Sequence, residues 1–135
     1  MKLFSQIAVV LFAASFSTIS AQTLNAGAEI TWDKSAHDFG EITEGEKVEH
    51  TFKFTNTGAE PLVITNVQVT CGCTTPKGWP RDPIASGKKA ELVVQFNSTG
   101  KVGRQNKVVT VISNSAGGNS QVTFSATVLE KKIQN

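Results

Sequence analysis

The sequence predicts an all-β protein, a β-sandwich of about seven short antiparallel strands, on three observations. Apolar and polar side chains alternate along several short runs, turn residues recur every ~8–12 positions, and no stretch holds a helical period of useful length.

Residues 1–21 stand outside that pattern. Lys2, an apolar run from Leu3 to Phe16 and a small polar stretch ending Ser20-Ala21 follow the three-part order of a secretory signal peptide. Ala21 before Gln22 is the expected cleavage point, although Ile19 occupies a place where a smaller residue is commoner. A membrane anchor would need about 20 predominantly apolar residues, and this run fades into Ser and Thr first. The reading is therefore export, with no Cys near the junction to accept a lipid and no membrane span after cleavage. Removing 21 of 135 residues leaves 114, residues 22–135, which suits one domain with a core of its own. Lys2 leaves with the signal, so 12 basic and 11 acidic side chains remain. That balance argues against nucleic acid, whose binders concentrate positive charge on one face. Here the only adjacent basic pairs are Lys88-Lys89 and Lys131-Lys132.

The first clear strand covers Val48 to Phe54, where Val48, His50, Phe52 and Phe54 share one phase and Glu49, Thr51, Lys53 and Thr55 the other. Asn56-Thr57-Gly58-Ala59-Glu60-Pro61 ends it in a turn. A second strand is expected from Leu62 to about Cys73, bulged at Thr65-Asn66, because Leu62 and Ile64 fall in one phase and Val67 and Val69 in the other. Pro76, Gly78, Pro80, Pro83 and Gly87 exclude regular pairing over most of Thr74 to Lys89, with Trp79 and Ile84 folding back onto the sandwich. Leu92, Val94 and Phe96 mark the next strand, closed by Asn97-Ser98-Thr99-Gly100 and Gly103. Lys107 to Ser113 lacks clean alternation and reads as buried on both faces. Asn114 to Asn119 makes a hairpin-like connection to a last strand with Val122, Phe124, Ala126 and Val128 inward and Thr123, Ser125 and Thr127 outward. Glu130 to Asn135 reads as a polar tail. Ahead of these, Glu29-Trp32 and Ala36-Phe39 are weaker strands, and Gly40-Glu41-Ile42 with Gly45 gives the turn into Val48. About seven such strands is the count of an immunoglobulin-like sandwich.

One ordered set of residues carries a resemblance. Ala36 to Ile42, Gly45, Val48 to Phe54, Asn56-Thr57-Gly58, Pro61-Leu62, Cys71-Gly72-Cys73-Thr74, Gly87, and Gly103 before the Val-rich strand ending Ser113-Asn114 resemble the exported bacterial domain of unknown function 1573, similar to Hydin-type immunoglobulin-like domains. The match covers roughly Ile30 to Leu129. It implies a seven-stranded sandwich in the broad group that includes major sperm protein and pilus-chaperone folds. The resemblance also places the chain in the periplasm or at the surface of a bacterium. It supplies no reaction, since fold analogy alone assigns none.

Cys71-Gly72-Cys73 is the one concentrated reactive group. In an extended strand, residues two apart lie about 6.6 Å apart at Cα, whereas a disulfide wants Cβ atoms roughly 3.5–4.5 Å apart. A bridge therefore needs a bend, which Gly72 can supply, and its small ring would be easily reduced. The pair reads as a local disulfide, a thiol-exchange couple or half of a metal clip. For the clip, two thiolates need further ligands, and His37 and His50 are the only histidines available. The plainer reading makes His50 a partly buried sandwich histidine and His37 a surface turn residue. Exchange lacks the usual CxxC spacing and βαβ setting, and Lys77 is the nearest basic side chain.

No recognised catalytic pattern accompanies these residues. Ser86-Gly87 and Ser98-Thr99-Gly100 lack a nucleophile elbow, and His37 and Asp38, adjacent on a strand, point to opposite faces. Asn97-Ser98-Thr99 matches a glycosylation sequon but reads as a polar turn. A pilus-type chaperone pairs two sandwich domains, which 114 residues cannot build. The expectation is a non-enzymatic module without a cofactor, holding a protein or cell-envelope partner at a sheet edge or loops. The alternative is a small periplasmic thiol-redox or metal-handling protein working through Cys71 and Cys73.

Overall fold

The computed structural model describes residues 26–133, so the expected signal peptide lies outside the described residues. Eight strands follow in chain order: β1 (Ile30–Trp32), β2 (Ala36–Thr43), β3 (Lys47–Asn56), β4 (Ile64–Val69), β5 (Thr74–Gly78), β6 (Lys89–Asn97), β7 (Gly103–Ser113) and β8 (Ser120–Leu129). They form two four-stranded sheets, ordered β1-β3-β6-β5 and β2-β8-β7-β4. This is an immunoglobulin-like sandwich in which the first strand is split, β1 pairing with β3 in one sheet and β2 crossing to the other.

The alternation read from the sequence sets the core. Phe52 and Phe54 of β3, Leu92, Val94 and Phe96 of β6, Val109 and Val111 of β7, and Val122, Phe124, Ala126 and Val128 of β8 meet between the sheets. Burying such side chains contributes about 1.5–3 kcal/mol apiece for those of Val size and larger. Trp79 and Ile84 fold back onto this core as expected. The bulge foreseen at Thr65-Asn66 appears as a register shift between Ile64 and Asn66.

Elsewhere the pairing corrects the sequence reading. The second strand is shorter than Leu62 to Cys73, because Leu62 makes only an isolated bridge to Ile84 and the chain leaves the ladder after Val69. Most of Thr74 to Lys89 does lack regular pairing, but Thr74, Thr75, Pro76 and Gly78 of β5 pair with β6, since β5 is an edge strand whose proline can face outward. Gly40-Glu41-Ile42 is strand rather than turn. Gly40, at φ 72°, sits in a bulge between Asp38 and Glu41, and beyond it Ile42 returns to the core. β2 runs parallel to β8, an arrangement that period-two patterning cannot reveal. Finally, β7 is buried on one face only: Val109 and Val111 are fully covered, whereas Val108 and Ile112 are half-buried on the outside.

Asn56, at the end of β3, is wholly buried and saturated. Its Oδ1 accepts from the Glu29 and Gly58 amides at 3.2 and 3.0 Å, and its Nδ2 donates to the Glu60 and Ile84 carbonyls at 2.8 and 2.9 Å. One side chain therefore fixes the entry to β1, the turn after β3 and the loop before β6.

Candidate functional site

The structure gathers the four candidate side chains into two separate pairs. His37 on β2 and His50 on β3 stack across the gap between the sheets, ring centroids 3.6 Å apart and planes 9° from parallel. Phe39 meets the His37 ring edge-on at 4.7 Å, and Phe52 meets His50 at 4.6 Å. His37 is thus a half-buried strand residue and not the surface turn residue expected, because its phase on β2 faces inward beside Phe124. Burial, then the positive charges of His37 and Lys34, push the His50 imidazole below its ordinary pKa. Parallel rings face one another with their π-surfaces, so their nitrogen lone pairs do not converge on a point between them.

Cys71 and Cys73 occupy the turn between β4 and β5, where the chain crosses from one sheet to the other. Their sulfurs are at disulfide distance, with Cα atoms 5.1 Å apart. The histidine stack joins the β2 and β3 side of the sandwich, whereas β4 and β5 lie at the far edges of the two sheets. The clip of Cys71, Cys73, His37 and His50 is therefore not assembled. Among the described residues no group of three or more His, Cys, Asp or Glu gathers that could hold a metal ion. Gly72 makes the bend without a positive φ, and a Cβ there would meet nothing within 4 Å. The glycine's special freedom is not what the turn requires. A bridge spanning two residues restricts the unfolded chain only slightly, about 1–2 kcal/mol by chain entropy. It is local to the turn and does not hold the sandwich together.

The two outer faces of the sandwich differ in chemistry. On the first sheet, Glu49, Lys53, Lys89 and Glu91 make a charged, solvated surface. On the second, Val108, Thr110 and Ile112 of β7 lie beside Gln121, Thr123 and Ser125 of β8 and Asn66 and Gln68 of β4. At one corner Arg104 pairs with Asp38 at 3.2 Å and donates to Ser125 and Thr127. The Gly40 amide, then Arg104, hold the Asp38 carboxyl below its usual value. Beside Asp38 lies a depression of about 530 Å³ whose lining includes Asp38, Asn106, Lys107, Val108, Thr123 and Ser125. The outward phase of Thr123, Ser125 and Thr127 was legible in the sequence. That Val108 and Ile112 share their face was not, because an all-apolar run hides which side is covered.

The open edges are poorly suited to adding a strand. β1 is three residues long, β5 contains Pro76, and β2 and β4 each carry a bulge. These are the devices that protect an edge from pairing.

Comparison with known proteins agrees with this fold. The chain is similar to a protein of unknown function from Porphyromonas gingivalis W83, with TM-score 0.66 and 18% identity over 82% of this chain and 51% of that one. It is similar to the secreted serine protease VesC from Vibrio cholerae, with TM-score 0.61 and 16% identity over 78% of this chain and 24% of that one. It is also similar to PapD-like domain 7 of human CEP192, with TM-score 0.60 and 11% identity over 95% of this chain and all of that one. The chain thus spans about half the length of the first and about a quarter of the second. At these identities the likeness is one of fold. No curated protein matches the chain. A family profile does match, over residues 30–128, and on that span the chain belongs to the family described as protein of unknown function (DUF1573).

Proposed function

We propose that this chain is an exported, non-catalytic interaction module that binds a protein or cell-envelope partner through the outer face of its second sheet. The observation that carries the reading is the chemical asymmetry of the two faces. A surface of Val108, Thr110, Ile112, Gln121 and Thr123 presents hydroxyls, amides and half-covered aliphatic carbons with few charges to desolvate. Depletion of charge at the centre of a patch is the compositional mark of a protein interface. The signal-like order of residues 1–21 supports export. The blunted edges favour this face over strand addition.

A photoactivatable residue at Val108, compared in living cells with one at Val93 on the outer face of the first sheet, tests the proposal. Cross-linked adducts are expected from position 108 and few or none from position 93. Equal yields at the two positions, or none at 108, would overturn it.

A further inference from the structure

The Cys71–Cys73 pair has a second consequence that does not depend on the binding face. We propose that it is a thiol–disulfide exchange site, accepting two electrons from a dithiol carried by a protein segment or a small thiol.

Four observations support this. The bridge closes a ring across one intervening residue, so it contributes little to holding the two sheets together. The turn has its own backbone supports, Thr74 N–H to the Cys71 carbonyl at 3.1 Å and Asn97 N–H to the Cys73 carbonyl at 2.8 Å. Neither bond runs through a sulfur atom. Gly72 between the two cysteines is exposed, and the space a side chain would take there is empty to 4 Å. Cys71 and Cys73 are half-buried, Cys73 packing against the core, so a thiol approaches from the Gly72 side. Lastly, the two sulfurs are not equivalent. The Cys73 amide donates to Cys71 Sγ at 3.1 Å, whereas Cys73 Sγ has only the Thr74 hydroxyl at 3.8 Å. A hydrogen bond to sulfur stabilises the thiolate, and the better-stabilised thiolate is the better leaving group.

That asymmetry sets the direction of reaction. A substrate thiol loses its proton to solvent, and its sulfur attacks Cys73 Sγ. The Cys71–Cys73 bond breaks, and its electron pair departs on Cys71 Sγ, held by the Cys73 amide. The substrate's second thiolate then attacks its own sulfur in the mixed disulfide and releases Cys73 as thiolate. The substrate leaves as a disulfide, and Cys71 and Cys73, each taking up a proton, are left as a dithiol.

The test uses the purified, oxidised chain with dithiothreitol at neutral pH, acid-quenched and alkylated for mass analysis, with oxidised glutathione as the reference disulfide. Reduction is expected about tenfold faster than that of the reference or more, with the near-ultraviolet circular dichroism and cooperative thermal unfolding retained. Reduction no faster than the reference, or loss of cooperative unfolding once the pair is reduced, would show a structural bridge and end the proposal. A brief pulse of reduced glutathione followed by peptide mapping tests the direction. The adduct is expected mainly on Cys73, and an adduct mainly on Cys71, or shared equally, overturns the assigned leaving group.

Discussion

His37 and His50 stack face to face at 3.6 Å, the one from β2 and the other from β3, so a pair of imidazoles bridges the two sheets where each would otherwise present an edge. Phe39 lies against His37 and Phe52 against His50, with Phe124 behind Phe39, and burial in this setting favours the neutral form of His50.

A pH dependence of stability follows from that setting. His50 has its pKa lowered from 6.5 in the fold, by burial first and then by His37 and Lys34. As pH falls below about 6.5, the unfolded chain takes up the proton before the folded one does. Stability therefore declines from that point downward and levels off only when the folded form is protonated too. The melting temperature should drop by a few degrees between neutral and mildly acidic pH, and His50→Phe, which keeps a ring in the stack, should flatten the slope. A wild-type profile with no decline in that interval would contradict the account.

Asn56 should be among the least replaceable polar residues in the chain. Asn56→Ala removes four hydrogen bonds and leaves the Glu29 and Gly58 amides and the Glu60 and Ile84 carbonyls without this partner in a buried place. A loss of about 3 kcal/mol or more is expected in urea unfolding. Asn56→Asp should also destabilise, since a carboxylate cannot donate to two carbonyls. A loss below about 1 kcal/mol for the alanine variant would mean that the network does not anchor these segments.

Two glycines should differ sharply in their response to the same substitution. A Cβ on Gly58 would strike the Gly27 carbonyl oxygen and lie 2.6 Å from the Glu29 nitrogen and 2.7 Å from the Ala28 carbonyl carbon, all backbone atoms that cannot swing aside. Gly58→Ala is expected to destabilise by about 2–4 kcal/mol by displacing the entry to β1. Gly72→Ala meets open space and should stay within about 0.5 kcal/mol of the wild type. Thermal unfolding of the two variants side by side reads the contrast.

Replacing both cysteines should be mild. The double variant Cys71→Ser, Cys73→Ser is expected to lose about 1–2 kcal/mol, as befits the shortest of loops. A loss of about 4 kcal/mol or more would make the bridge a structural staple for the β4–β5 crossover.

Much of this molecule was determined by the sequence alone. Alternation at Val48 to Phe54, at Leu92 to Phe96 and at Val122 to Val128 specified which side chains meet in the core, because a strand's two-residue period is a local property. The phase change after Ile64 likewise announced its bulge. Tertiary structure decided what local pattern cannot carry. Residues 37 and 50 sit in opposite sheets, so their stacking depends on how the sheets are laid over one another. The same holds for the parallel course of β2 along β8, and for Val108 and Ile112, whose half-burial depends on which face of β7 the other sheet covers. The separation of the histidines from the cysteines follows from strand order across each sheet, which is set by non-local pairing and leaves no mark in the spacing of residues along the chain.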